Sequence, residues 1–439
     1  MSEQKEVVGA EMALVLDVGS ASFRMGLAGD DAPRAILSSH VGRLDADANA
    51  MDVDGSAGNC SYFYDLHKYR SGMRLDSVTK DGLIADWQIL EKMWNHSIQN
   101  YVKVDPKEHP IIISEKPYSP TNFRYEMAQY MFETVSVPAL FISKDSVLEC
   151  YACGRTTGVV ADVGYSGMYI SSVIDGWVDP KTIALSSIGG QFLDAYTNSL
   201  LAKRIVGRPL TPAFQISKTI DKNNQIVSSI SNTFNDVNPA YSTLMTLEIG
   251  KDLKERLCKT ADSKFNETDP RYTAIPTSSY ELPDGTAIDI GVERFLVPEV
   301  LIDPTSVDSI SLFNDLAPLR DDFRILSKNK DGIARLIIDS VLHSETENHS
   351  SLFSSIVIAG GSSSFEGFAD RVKAEVEDIV HLASPGMKIK SASVGNSERS
   401  FSAWLGGSIL GSLSNFQEMW FSKQEYDEYG ANLIDRKCP

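Results

Sequence analysis

Two short segments that share one pattern constrain the fold of this 439-residue chain more than any other feature. Residues 14–20 and 159–167 each run from apolar residues into an Asp-Val-Gly turn, and a strand-like segment follows each turn. Backbone amides of such a turn can hold phosphate oxygens, and an aspartate at the end of a buried strand can hold a cation through water. One copy is a weak signal, because glycine-rich hairpin turns are common for purely structural reasons. Two copies, at Asp17 and Asp162, predict a duplicated unit with a nucleotide between its halves.

The remaining pattern indicates an α/β fold with mixed sheets. Short apolar runs predict buried strands at 110–114, 140–142 and 355–359, and helical periodicity predicts helices at 87–101, 125–134, 145–153, 247–259 and 333–342. Residues 187–191 open a further helix that is predicted to run to about Arg204. Its N-terminus follows the second hairpin, in a favourable place for binding phosphate.

The composition argues against several functions. The formal net charge is -18 at pH 7, so this chain is not expected to provide the main DNA-binding surface, because such a surface usually needs a basic patch. An acidic chain is compatible with a basic protein partner. The 5 cysteines do not form a disulfide framework and fit a reducing compartment. The first residues lack a basic-then-apolar signal, and no apolar run reaches the roughly 18 residues of a membrane span, so neither secretion nor a span is expected.

Several segments resemble actin. Residues 29–35 read Gly-Asp-Asp-Ala-Pro-Arg-Ala, and residues 404–410, 422–426 and 436–438 are similar to the C-terminus of actin nearly residue for residue. The resemblance covers nearly the whole chain. It implies an α/β, duplicated actin-like (ribonuclease-H-like) fold with two lobes, mixed sheets and a nucleotide cleft between the lobes.

Shorter segments narrow the resemblance within the actin superfamily. Residues 51–55, 61–65 and 301–304 and the final Cys438-Pro439 are similar to the nuclear actin-related subunit of chromatin-remodelling and histone-acetyltransferase complexes. This resemblance implies a structural or regulatory subunit in the nucleus, with a cytoplasmic pool. It would pair with monomeric nuclear actin on a helicase-SANT-associated helix of a motor or scaffold subunit. Histones are further candidate partners, and neither sequence-specific DNA binding nor membrane binding is expected.

The resemblance also divides the chain into lobes. It predicts a first lobe at 1–160 with an acidic insertion at 44–77, a second lobe at 161–385 with variable segments at 205–240 and 303–331, and a C-terminal segment at 386–439 that returns to the first lobe. The insertion belongs to the small outer subdomain and is expected to lie outside the core. Because 44–77 and 303–331 fall where neighbours would meet in an actin filament, no homopolymer is expected. Ordinary loop variation is the alternative.

The resemblance places the nucleotide site on the two turns and on two later segments. Asp17 and Asp162 would lie near a divalent cation, Mg²⁺ or Ca²⁺. Arg24 stands where actin has a lysine, and it keeps the charge and can reach phosphate with two donors. The residues implied to bind ATP or ADP are Gly19, Ser20, Arg24, Gly164, Lys254, Glu255, Gly360, Gly361, Ser364 and Phe365. Without the resemblance, Lys254 and Glu255 would be interpreted as an exposed pair on a solvated helix face.

The residues that position the attacking water in actin are not kept here. By resemblance, Asp145 and Tyr169 take the positions of a glutamine and a histidine, and Tyr165 replaces an aspartate of the second turn. An aspartate repels a triphosphate unless it binds metal or acts as a base, and a phenol is a poor base at neutral pH. ATP binding with weak or absent hydrolysis is therefore expected, with no catalytic residue. The alternatives are a filament-forming actin-like ATPase and a small-molecule kinase of the same duplicated fold.

A group of large apolar residues near the C-terminus is open to two interpretations. Trp404, Leu410, Phe416 and Trp420 lie, by resemblance, around the region where actin-class proteins receive partner helices. An apolar contact between a helix and a groove is physically sensible there. Each of these residues could equally belong to the core, which is the simpler interpretation for any one of them.

Overall fold

The computed structural model describes residues 12–45, 60–205, 208–220, 226–266, 269–307 and 331–438. Its strands are β1 Leu14–Val18, β2 Ser22–Leu27, β3 Ala35–Ser38, β4 His40–Leu44, β5 Ser61–Phe63, β6 Arg74–Ser77, β7 Thr79–Lys80, β8 Leu83–Ile84, β9 Ile111–Glu115, β10 Ala139–Lys144, β11 Gly158–Val163, β12 Met168–Ile174, β13 Trp177–Val178, β14 Ala184–Ser186, β15 Ile216–Ile220, β16 Ile226–Ser231, β17 Ser278–Glu281, β18 Ala287–Ile290, β19 Ile356–Ala359, β20 Ser391–Ala392 and β21 Phe421–Ser422.

Its α-helices are α1 Trp87–Ser97, α2 Asn122–Gln129, α3 Asp145–Ala152, α4 Gly190–Arg204, α5 Pro239–Leu257, α6 Pro270–Thr273, α7 Glu293–Ile302, α8 Ile333–Leu342, α9 His349–Phe353, α10 Phe368–Ala383, α11 Ser402–Ser412, α12 Lys423–Tyr429 and α13 Ile434–Lys437. π-Helical turns extend α1 and α2, at Ile98–Val102 and Tyr130–Val135. Within the described ranges, every helix is too short or too polar to cross a membrane.

Two 6-stranded sheets with matching order form the centre of the molecule. The first has the order β21-β10-β9-β1-β2-β3, and the second has the order β13-β12-β11-β19-β20 with β14 also beside β12. Each sheet contains an antiparallel hairpin, β1–β2 or β11–β12, and the first strand of that hairpin runs parallel to a later strand, β9 or β19. The repeated order confirms the predicted duplication and the mixed α/β architecture.

The central strands are apolar because packed elements cover them. Every residue of β1, β11 and β19 is buried, as expected for strands with parallel neighbours inside an α/β sheet. Helix α11 contacts β1 and β9, and helix α8 contacts β11 and β12. The burial of both Asp17 and Asp162 follows from their places near the ends of β1 and β11. These strands therefore fix the two aspartates that the sequence singled out.

Each sheet has its own hydrophobic core, and the C-terminal elements join the first one. The residues in doubt, Trp404, Leu410, Phe416 and Trp420, are all buried among the side chains of β1, β9 and β10. They are core residues, so the partner-groove interpretation is wrong for them. Side chains of α12 and α13 pack into the same core. The lobe boundaries stay predictions, and the one between 160 and 161 falls inside β11.

The predicted acidic insertion at 44–77 is only partly correct. Residues 46–59 lie outside the described residues, but β5 and β6 pair with β4 in a 3-stranded sheet. Leu66 and Met73 are buried against Tyr241 and Leu244 of α5. Leu66 and Met73 were not predicted as core residues, because acidic residues lie nearby and the packing partners of these two residues lie far along the chain. Residues 60–77 therefore contribute two strands to a sheet and two side chains to a hydrophobic cluster.

The other predicted variable segments are placed in part. Segment 205–240 contains β15, β16 and the start of α5, whereas 206–207 and 221–225 lie outside the described residues. Helix α5 begins well before the predicted start at 247, because the Asn238 side chain accepts from the Tyr241 amide at 3.2 Å and Pro239 suits the first helical turn. Of segment 303–331, residues 308–330 lie outside the described residues. The absence of a homopolymer stays a prediction.

A polar contact, here called the outer clasp, joins the outer parts of the two lobes. Asp236 accepts hydrogen bonds from the Tyr69 hydroxyl at 2.9 Å, from the Gly72 amide at 2.9 Å and from the Ser71 hydroxyl. The Tyr69 ring also packs against Tyr241 of α5, with ring centroids 5.6 Å apart. A segment between the two central hairpins is thereby held to a segment that follows the second hairpin, away from the sheets.

Candidate functional site

A cavity of about 680 Å³ lies between the two sheets and is lined by both hairpin turns. This volume is usual for a site that holds a small organic ligand. All residues predicted to bind the nucleotide or the cation line it, namely Asp17, Gly19, Ser20, Arg24, Asp162, Gly164, Lys254, Glu255, Gly360, Gly361, Ser364 and Phe365. The fold therefore gathers segments that are far apart in sequence around one cavity.

The two hairpin turns meet at this cavity. The Gly19 amide donates to Ser22 O at 3.0 Å, and the Gly164 amide closes the second turn in the same way at 2.9 Å. These N–H groups shape the turns, and contact of the two glycines with phosphate stays a prediction. Ser20 Oγ donates to Ser166 Oγ at 2.9 Å and joins the tips of the turns across the lobes.

Gly360 brings the segment after β19 close to the second hairpin. Its φ is 83°, a conformation that favours glycine, and a Cβ atom there would collide with Asp162 Oδ1 and Val163 O. A larger residue would push this segment out of place. Gly361 follows at the cavity wall, and the buried ring of Phe365 completes this side.

Lys254 and Glu255 differ in burial although they are neighbours on α5. Lys254 Nζ lies 2.5 Å from Asp194 Oδ1 on α4, and both side chains are buried. Burial raises the pKa of Asp194 to about 6, although Lys254 opposes this rise. Glu255 is exposed and lines the cavity. Asp194 was not predicted as part of the site. A local sign of its role is that it is an acidic residue in a helix segment whose other residues are buried.

Asp17 and Arg24 form an ion pair across the first hairpin. Arg24 Nη1 lies 2.5 Å from Asp17 Oδ2, and Ser114 Oγ donates to Asp17 Oδ1 at 2.6 Å. Burial alone would raise the pKa of Asp17, but Arg24, Lys116 and the Ser114 hydrogen bond outweigh burial and lower that pKa. The two ion-pair partners are opposite each other in the β1–β2 register. Arg24 therefore neutralises Asp17 in addition to lining the cavity.

Lys116, which the sequence did not single out, lies between two carboxylates at the base of the cavity. Its Nζ is 2.7 Å from Asp145 Oδ2 and 3.5 Å from Asp162 Oδ2. Burial opposes the ammonium charge, but these carboxylates outweigh it and hold the pKa of Lys116 well above its usual value. Lys116 follows β9, whose C-terminal end lies beside that of β1 because the strands are parallel. The position of Lys116 after a parallel strand could have indicated a role in the site, because ligand-binding residues gather at the carboxyl ends of parallel strands.

The positions expected to hold the attacking water carry a buried aspartate and a buried tyrosine. Asp145 is paired with Lys116, and burial raises the pKa of Asp145 to about 6, although Lys116 opposes this rise. Tyr169 lines the cavity, and burial together with the charges of Asp145 and Asp162 raises the pKa of Tyr169 well above its usual value. A phenol that stays protonated is not a general base at neutral pH. Tyr169 is therefore not the base, and weak or absent hydrolysis stays a prediction.

The carboxylates predicted to hold a divalent cation do not fit that role as they stand. Asp17 is paired with Arg24, and Lys116 lies between Asp145 and Asp162. A cation on either predicted carboxylate would have to displace a positively charged side chain or lie beside it, which costs Coulomb energy. Among the residues that the structure describes, no group of His, Cys, Asp and Glu side chains is arranged to hold a metal ion.

Comparisons with known proteins agree with the fold. A family model described as actin matches residues 8–439. Actin-related protein 4 of rice, Oryza sativa subsp. indica, is 37% identical over 456 residues, which covers 97% of this chain and 98% of the relative. Actin-related protein 4 of Arabidopsis thaliana is 34% identical over 454 residues, with 97% and 98% of the two chains covered. Proteins of the actin fold generally bind a nucleotide and a divalent cation. From the matched family model and these relatives, the chain belongs to the actin family.

Proposed function

We propose that this chain is a nuclear actin-related protein that serves as a structural or regulatory subunit of a chromatin-remodelling or histone-acetyltransferase complex. It binds ATP with little or no hydrolysis and pairs with monomeric actin on a helix of the motor or scaffold subunit. The similarity to actin-related protein 4 of plants supports this class. The observation that carries the proposal is the pair of Lys116 and Asp145 beside Tyr169, because these groups stand where water would be activated.

ATP acts in this proposal as a structural ligand. The cavity is lined by both hairpin turns, by α5 and by the segment at Gly360, so a bound nucleotide contacts both lobes. A ligand that binds the folded state alone stabilises it by about 2.7 kcal/mol when its concentration is 100-fold above Kd. The outer clasp at Asp236 acts in the same direction, since it also holds the lobes together.

Thermal unfolding tests this structural role. ATP and a non-hydrolysable ATP analogue should raise the Tm of the nucleotide-free protein equally, because stabilisation depends on binding and not on cleavage of the γ-phosphate. An effect of ATP that decays as ATP is consumed, while the effect of the analogue persists, would argue for an ATPase. The absence of any shift with either compound would argue against nucleotide binding.

The segment from α11 onward offers an apolar surface for the proposed partner helix. Ile409, Leu413 and Met419 are 37%, 41% and 42% exposed, whereas Leu410 and Phe416 between them are buried. Covering exposed apolar side chains with the apolar face of a helix removes them from water. The proposed contact with the motor or scaffold subunit therefore uses these exposed residues, and histones are further candidate partners.

Co-purification with monomeric actin and a peptide of the motor-subunit helix tests this assembly. Leu413→Ser should reduce recovery of both partners, whereas Ile36→Ser should not, although it removes an apolar side chain that is 56% exposed on β3. Equal recovery by both variants would place the contact elsewhere. Sedimentation in salt that polymerises actin tests the alternative. The pure protein should stay in the supernatant, and pelleting would favour a filament-forming ATPase.

A further inference from the structure

We infer that Lys116, together with Arg24, takes the place of the divalent cation, so that this chain holds the phosphates of its nucleotide without a metal ion. The inference rests on the proposed nucleotide binding and departs from the cation that the family generally uses. Its starting observation is that positively charged side chains face Asp17 and Asp162, the two carboxylates predicted to hold the cation.

The position of Lys116 is fixed from several directions. Its Nζ lies 2.7 Å from Asp145 and 3.5 Å from Asp162, and it stands 5.0 Å from the centroid of the Tyr169 ring. The side chain is only 17% exposed and lines the cavity. A lysine held in this way is a charge that the fold supplies in advance, and a bound phosphate would not have to recruit it from solution.

Arg24 supplies the second charge on the same side of the cavity. It lies 2.5 Å from Asp17, so the carboxylate of the first hairpin is already neutralised before any ligand binds. A planar guanidinium can pair with a carboxylate and still offer further donors to a phosphate oxygen. Two monovalent side chains thereby carry the same formal charge as one divalent ion, and Asp17, Asp145 and Asp162 offset part of that charge.

A divalent ion would be unfavourable in this arrangement. To reach Asp17 it would have to displace Arg24, and at Asp162 it could reach Oδ1, which has no hydrogen-bond partner among the described residues, but would then lie beside Lys116. If either side chain stayed in place, the ion would lie within a few ångströms of a like charge. The protein should therefore bind free ATP at least as well as the magnesium complex of ATP.

Calorimetric titration of the full chain with ATP tests this inference, in excess EDTA and in excess MgCl₂. The Kd values of the wild type in the two conditions should differ by less than about threefold. Lys116→Met shortens the side chain by one atom and removes its charge. In EDTA it should weaken binding by about tenfold or more, and Mg²⁺ should restore part of the loss, because Asp145 and Asp162 are then free to hold the ion.

Lys144→Met is the matched control. Lys144 Nζ pairs with the buried Glu115 at 3.0 Å and is 19% exposed, close to the 17% of Lys116, but it does not line the cavity. It also donates to Lys116 O at 3.5 Å, so this variant removes a neighbouring contact and leaves the charge of Lys116 in place. Its Kd in EDTA should equal that of the wild type. An effect of Lys144→Met as large as that of Lys116→Met would show a general loss of packing and would overturn the role of Lys116.

Wild-type binding that is more than about threefold tighter with Mg²⁺ would also overturn the inference, while leaving nucleotide binding itself intact. The absence of binding in both conditions would instead overturn the proposed function. If Lys116→Met does not fold, the comparison of EDTA and MgCl₂ on the wild type decides the matter alone.

Discussion

Replacement of Lys254 by methionine should make the stability of this protein strongly dependent on pH. Lys254 Nζ lies 2.5 Å from Asp194 Oδ1, and the two side chains are 7% and 0% exposed. Methionine has a similar length, so Lys254→Met keeps most of the packing between α5 and α4 and removes the charge. Asp194 is then left buried without its counter-charge.

The size and the pH dependence of the effect follow from Asp194. Removing one partner of a buried ion pair typically costs about 3–5 kcal/mol, because the other charge stays buried and unpaired. Burial already raises the pKa of Asp194 to about 6 with Lys254 present, and without Lys254 that pKa should rise further. An acid whose pKa is raised on folding contributes stability that is present at low pH and is lost as the pH rises through the folded-state pKa.

Urea unfolding of the nucleotide-free protein measures this effect. Lys254→Met should lower the free energy of unfolding by about 3–5 kcal/mol at about pH 8, but by only about 1–2 kcal/mol at about pH 5.5, where Asp194 is protonated. The double variant with Asp194→Asn removes the titrating group and should lose the difference between the two pH values. An equal cost of Lys254→Met at both values would refute the reasoning.

Three further predictions concern the backbone, the core and the outer clasp. Gly360→Ala should abolish the rise in Tm with ATP, because an added Cβ would collide with the second hairpin. Gly386→Ala should keep the rise, because no atom of the described residues lies within 4 Å of its added Cβ. Retained binding by Gly360→Ala would contradict the close approach of Gly360 to Asp162 and Val163. Arg371→Met should lower the free energy of unfolding in urea by about 3–5 kcal/mol, because Glu299 is left buried and unpaired, and a loss below about 1 kcal/mol would be inconsistent with that pair. Asp236→Ala removes the acceptor of the outer clasp and should speed the release of a fluorescent ATP analogue by about threefold or more, so an unchanged rate would show that the clasp does not hold the lobes closed.

The parts of the fold that the sequence predicted well are those with strong local patterns. The helix predicted at 333–342 is observed as Ile333–Leu342, since its apolar periodicity is strong. The two Asp-Val-Gly turns also fell where predicted, because an apolar run followed by small residues allows few other structures. The start of α5 was missed because the preceding residues carry little periodicity, although Asn238 and Pro239 together form a recognisable start signal.

The parts of the site that escaped prediction depend on pairs that are distant in sequence. Lys116 could not be assigned without knowing that β9 lies parallel to β1, and Asp194 could not be assigned without its contact with Lys254. The pairing of Arg24 with Asp17 could be predicted more easily, because the register of a short hairpin places the two residues opposite each other. The resemblance gave the identity of the cavity residues, but their charge balance required the structure.

The central claim is that the cavity holds ATP without cutting it, and a single-turnover experiment tests it most directly. Protein in excess over γ-labelled ATP, with Mg²⁺ present, reports bound nucleotide and released phosphate from the same sample. The label should remain bound as intact ATP, with phosphate release no faster than in a protein-free control. Phosphate release from the monomer at the rate of filamentous actin measured in parallel would contradict the claim, because it would require an active base where Lys116 holds Asp145 and Tyr169 stays protonated.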